Sequence, residues 1–137
     1  MNRMTRIWAR LYLGSIDDAE ALAKSNLHGI RTVLSVCREP VCTRANGVKY
    51  LQIPVEDGRR IPIARFDAVI DAVSENIRWG KVLVHCLAGL SRSPIIVASW
   101  MHVVGYKNID AALAEINRLR PIDPSPSLLR SVKEALR

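Results

Sequence analysis

The chain has 137 residues, 49% of them apolar, enough for one domain that buries a core without disulfides or structural metals. No stretch approaches the roughly 18 uninterrupted apolar residues of a membrane span, and Met1-Asn2-Arg3-Met4-Thr5-Arg6 lacks the apolar run of a signal peptide, so a soluble cytoplasmic protein is expected. Three cysteines without paired zinc spacing read as free thiols in a reducing compartment. The excess of 20 Lys and Arg over 13 Asp and Glu, a formal charge of +7, suits anionic ligands. One Phe, three Tyr and three Trp are too few and too scattered for a base-stacking platform, which argues against nucleic acid.

Ile7 to Leu13 alternates roughly and ends at Gly14-Ser15, predicting an opening strand or strand pair and a turn. Ser15 is placed to cap a helix with Asp17 and Asp18 in its first turn, running toward Leu27 and closed by Gly29. Strands follow at Thr32–Val36 and, past an Asn46-Gly47 turn, at Tyr50–Ile53. From Ile63 the period changes: Phe66, Val69, Ile70, Val73 and Ile77 form one stripe of a helix that Gly80 ends. Lys81-Val82-Leu83-Val84-His85 has the profile of a strand buried on both faces, and it delivers the chain to Cys86.

Ser93-Pro94 reads as the cap and first position of the next helix, apolar nearly all round through Val104. Two more helices are predicted. One runs from Asn108 with Leu113, Ile116 and Leu119 on its face, and one is capped by Ser125-Pro126 with Leu128, Val132 and Leu136. Alternating strands and helices imply an α/β domain with a central, mostly parallel sheet flanked by helices.

The segment His85-Cys86-Leu87-Ala88-Gly89-Leu90-Ser91-Arg92-Ser93 therefore lies between a buried strand and a buried helix. Successive loop amides there can converge on an anion, and the helix N-terminus adds to their field. Gly89 permits backbone angles other residues resist, and Arg92 offers a planar fork for two oxygens of a phosphoryl group. The same field favours sulfur as a thiolate, making Cys86 the candidate nucleophile and Leu87 through Arg92 the candidate phosphate loop.

Cys86 and Arg92 are separated as C-x5-R, and the wider HCLAGLSRSP closely resembles the dual-specificity phosphatases of the protein tyrosine phosphatase superfamily. The resemblance extends to LYLGS near the start, GKVLVHC before the loop and LRPIDPSPS after it, covering nearly the whole chain. Rhodanese-type sulfur transferases also use a strand-to-helix cysteine loop, but their common loop is one residue shorter.

The resemblance implies the protein tyrosine phosphatase-like fold, a phosphocysteine intermediate and no metal or other cofactor. It implies phosphorylated proteins or peptides as partners, with a pocket shallow enough for phosphotyrosine, phosphoserine and phosphothreonine. It assigns Asp57, in a loop 29 residues before Cys86, as the general acid, with Glu56 its competitor, and Ser93 as the hydroxyl that steadies the departing thiolate. Asp67 and Asp71 read as solvated charge on the following helix. His85 orients the loop, Ser91 lines it, and Arg120 is structural by the same resemblance. Arg59 and Arg60 either select acidic substrates or form a solvated pair.

Cys37 ends the strand before the acid loop, where some relatives keep a cysteine that pairs with the oxidised nucleophile. It is a candidate redox partner of Cys86, an inert buried thiol being the other reading. Cys42, His28 and His102 have no assigned role. The competing functions are a phosphoinositide phosphatase, an RNA 5′-triphosphatase and a phospho-binding module without turnover. Leu87, Ala88 and Leu90 supply no lysine for a highly charged inositol lipid.

Overall fold

The computed structural model describes residues 3–136. Strands β1 (Thr5–Trp8), β2 (Leu11–Gly14), β3 (Ile30–Ser35), β4 (Lys49–Gln52) and β5 (Lys81–His85) form one sheet in the order β1-β2-β5-β3-β4. Among the described residues only the β1–β2 hairpin is antiparallel; β2–β5, β5–β3 and β3–β4 are parallel. The helices are α1 (Ile16–Ala21), α2 (Ile63–Ile77), α3 (Arg92–Val103), α4 (Ile109–Leu119) and α5 (Pro126–Ala135).

Side-chain alternation splits the core. Leu11, Leu13, Leu34, Val82 and Val84 face the helices α2 to α5, while Tyr12, Val33 and Leu83 face α1. Strand β5 lies between two parallel neighbours, and burying each of its apolar side chains contributes about 1.5–3 kcal/mol. It ends at the carboxyl edge of the sheet, where open α/β folds place their ligands.

Ser15 caps α1 in a capping box with Asp18, but the helix stops at Ala21, shorter than its sequence pattern suggests, and turns carry the chain onward. Helix α3 begins two positions earlier than expected: Ser91, not Ser93, is the N-cap and Arg92 the first helical residue. Pro94 is tolerated in the first turn, where no N–H has an intrahelical partner, and the Ser93 hydroxyl is directed elsewhere. Leu119 is 47% exposed rather than buried; α4 packs through Ile109, Ala112, Leu113 and Ile116.

Candidate functional site

Strand β5 brings Cys86 to the sheet edge with 2% of its surface exposed. Its Sγ accepts a hydrogen bond from the Gly89 N–H at 3.3 Å and lies 3.1 Å from Ser93 Oγ. The loop thus curls around the sulfur, and the Ser93 hydroxyl turns back to it from the first turn of α3.

Neighbouring segments brace that curl. The Ile16 N–H donates to Leu87 O (3.1 Å), and the Asp123 N–H donates to Leu90 O (2.7 Å). Gly89 has φ +74°, and a Cβ there would come within 2.8 Å of Arg120 Nη2 and 2.9 Å of Gly14 O. Arg120 is buried, and its Nη1 donates to Leu13 O at 2.9 Å and Arg3 O at 3.2 Å. The guanidinium is therefore packed against the loop at Gly89 while it bonds to the first hairpin.

His85 is fully buried between two partners. The Cys86 carbonyl only accepts, so Nδ1–H donates to it at 3.0 Å; Nε2 is then the acceptor for the Ser35 hydroxyl. Burial lowers the His85 pKa and keeps the ring neutral, in keeping with an orienting role and against one as base.

Asp57 is exposed at the tip of the loop after β4, yet it is held against the phosphate loop. Ser91 Oγ donates to Asp57 Oδ1 at 2.8 Å and accepts from the Ser125 N–H at 2.8 Å. A serine at an N-cap usually turns its hydroxyl onto the helix amides; Ser91 makes no such bond. Its hydroxyl spans three segments and leaves the first amides of α3 to an incoming anion. Glu56 is occupied by an exposed ion pair with Arg59 at 3.3 Å. Arg60 pairs with Glu134 at 3.0 Å, so both arginines have carboxylate partners within the chain. The Arg92 guanidinium reaches toward Val55 O at 3.5 Å, at the base of the acid loop.

The family model for the dual specificity phosphatase catalytic domain matches residues 11–137. The chain belongs to the dual specificity phosphatase family. It is 31% identical over 136 residues to dual specificity protein phosphatase 15 of Mus musculus, covering 97% of this chain and 57% of that protein. The crystal structure of DUSP15 superposes with a TM-score of 0.82 at 30% identity, covering 99% of this chain and 86% of that one. Human DUSP28 gives 0.82 at 25% identity, covering 96% and 94%. The chain spans somewhat more than half the length of the mouse relative.

Within this domain the motif places Cys86, Arg92 and Ser93 and the family resemblance Asp57, and the fold brings all four to one loop. The Ser35–His85 bond, the Ser125–Ser91–Asp57 chain and the proximity of Arg120 to Gly89 are not visible in the sequence. Each of these contacts joins residues 31 or more positions apart, and no local pattern announces them.

Cys37 follows β3 beside this site: Ser35 is opposite His85, and the Val36 N–H donates to His85 O at 2.9 Å. Burial, reinforced by the Glu39 charge, raises its pKa to about 11. Cys42 is exposed, and its N–H donates to Glu20 Oε1. His102 Nδ1 accepts the Ile109 N–H at 3.1 Å, holding the start of α4.

Proposed function

We propose that the chain hydrolyses phosphate monoesters on proteins, phosphotyrosine together with phosphoserine and phosphothreonine, through a phosphocysteine formed on Cys86. The observation that carries this reading is the tether of Asp57 to Ser91, which holds a carboxyl group over the same loop that wraps the Cys86 sulfur.

In the first step the Cys86 thiolate attacks phosphorus, the bond to the leaving oxygen breaks, and Asp57 gives that oxygen its proton. The Arg92 fork and the loop amides hold the three non-bridging oxygens as charge spreads over them. In the second step water attacks phosphorus, Asp57 as a carboxylate takes its proton, and the sulfur–phosphorus bond breaks. The Ser93 hydroxyl, 3.1 Å away, donates to the departing thiolate. Leu87, Ala88 and Leu90 leave the rim without a lysine, which favours protein monoesters over a polyphosphorylated lipid.

Hydrolysis of an aryl phosphate by wild type, Cys86→Ser and Asp57→Asn under reducing conditions tests the reading. Wild type turns over and Cys86→Ser does not; a wild type that only binds the ester would make the domain a phospho-binding module. Substrate class is tested by a panel of phosphopeptides, phosphoinositides and triphosphate RNA, with the phosphopeptides turned over fastest.

A second proposal is that Cys37 captures an oxidised Cys86. Peroxide converts the Cys86 thiolate to a sulfenic acid, and the Cys37 thiol then displaces water to give the disulfide. Its high pKa slows that capture. Peptide mapping after mild peroxide decides: Cys86 sulfinic or sulfonic acid with Cys37 still reduced rules the bridge out.

A further inference from the structure

The net charge is not spread over the molecule. Five segments meet at the amino edge of the parallel strands, opposite the Cys86 loop. Residues 8–10, 22–31, 46–49 and 78–82 lead into β2, β3, β4 and β5, and 103–107 follows α3. They contain Arg10, Lys24, Arg31, Lys49, Arg78, Lys81 and Lys107 and no Asp or Glu. Those seven cations equal the whole formal charge of +7, leaving 13 Lys and Arg elsewhere to balance 13 Asp and Glu. Among the described residues only Lys107 of the seven enters an ion pair, with Glu115.

Contacts join four of these segments, and the pairing of Thr32 with Lys49 between β3 and β4 brings the fifth to the same edge. Arg10 Nη1 donates to the carbonyls of Ile77 and Arg78, each at 3.1 Å. Lys81 Nζ donates to His28 O at 2.7 Å, and the Arg31 side chain lies across Gly80, whose Cβ would come within 2.6 Å of it. Helices α2 and α3 pack together, joined where Trp100 Nε1 donates to Ser74 Oγ at 3.0 Å. Trp8 lies 6.3 Å from Tyr106 and adjoins the Arg10 turn.

Apolar side chains stand out among these charges. Leu27 is 93% exposed, Trp79 77%, and Val104 and Tyr106 are about half exposed. Cations interleaved with Trp, Tyr and aliphatic tips are the composition that enters the headgroup layer of an anionic bilayer. Nucleic acid would use the charges and the rings but leave Leu27 and Val104 without a function.

We propose that this end of the sheet docks on a bilayer containing anionic phospholipid. The consequence for the phosphatase is orientation. Strand β5 spans about 13 Å between Lys81 and His85, so a bound molecule holds the Cys86 loop on its far side, facing away from the lipid. A docked enzyme then reaches phosphoproteins above the membrane and not headgroups within it.

Sedimentation with vesicles tests this, using the whole chain and phosphatidylcholine with or without about 30% phosphatidylserine. Binding is expected to be at least about tenfold stronger to the anionic vesicles and to fall with salt. Each cation contributes about fivefold, so Lys49→Gln with Arg78→Gln weakens binding about 25-fold. That variant hydrolyses a soluble aryl phosphate at the wild-type rate, showing that it is folded. The Trp79 fluorescence is quenched by brominated acyl chains in wild type, and the quenching disappears in Trp79→Phe.

Equal binding to neutral vesicles, or a double variant that binds as wild type does, overturns the proposal. So does tighter binding to polyuridine RNA or to polyglutamate than to the vesicles at matched anion concentration. Vesicle-bound protein turns over soluble aryl phosphate undiminished; suppression on binding would overturn the outward orientation.

Discussion

Replacing Ser91 by Ala removes the hydroxyl that holds Asp57 over the phosphate loop while leaving Cys86, Arg92 and Asp57 in place. Asp57 carries its proton when it acts as the acid, so the bond joins neutral groups and is worth about 0.5–1.5 kcal/mol, the upper end being roughly tenfold in rate. That loss should fall on proton donation and therefore depend on the leaving group. A phosphoserine peptide, whose alkoxide must be protonated as it leaves, should lose about tenfold in kcat/KM, whereas an activated aryl phosphate should lose much less. Ser91→Ala added to Asp57→Asn should cost little more than Asp57→Asn alone, because the tether then holds no acid. An equal fall on both substrates would mean general damage to the loop. An unchanged rate on phosphoserine, or full additivity with Asp57→Asn, would refute the positioning argument.

Gly89→Ala should lower both stability and turnover: φ +74° costs a non-glycine residue about 1–3 kcal/mol, and its Cβ meets Arg120 and Gly14 O at under 3 Å. Urea midpoint and kcat/KM both report this, and an unperturbed variant would contradict the packing described. Buried His85 has a lowered pKa, so between its folded value and the unfolded value of about 6.5 the unfolded chain binds more protons. Its contribution is complete above about pH 6.5 and is lost as pH falls through that window. Urea midpoints from pH 7 to 5.5 should decline in wild type and decline less in His85→Gln; identical slopes would exclude His85 as the cause. With its pKa near 11, Cys37 should be alkylated far more slowly than exposed Cys42 at pH 8, a difference that peptide mass mapping reads directly.

Local rules carried much of the reading. The apolar run of β5, the stripe on α2, and the Ser15 and Ser125 caps obey local rules set by backbone geometry, and the structure keeps them. The phosphate loop was legible for the same reason: its cysteine, glycine and arginine lie within seven consecutive residues. Element ends were less so. The start of α3 depended on where the Ser91 and Ser93 hydroxyls turn, which their neighbours in sequence do not specify.

The sequence by itself determined the order of strands and helices, the reactive loop and the size of the positive charge, because each follows from local residue types. Only the tertiary structure decided what those features face. Hydrogen bonds between distant segments bring Asp57 to Ser91 and Ser35 to His85. Parallel strands all enter from one side, and this gathers cations scattered from Arg10 to Lys107 onto the edge opposite Cys86.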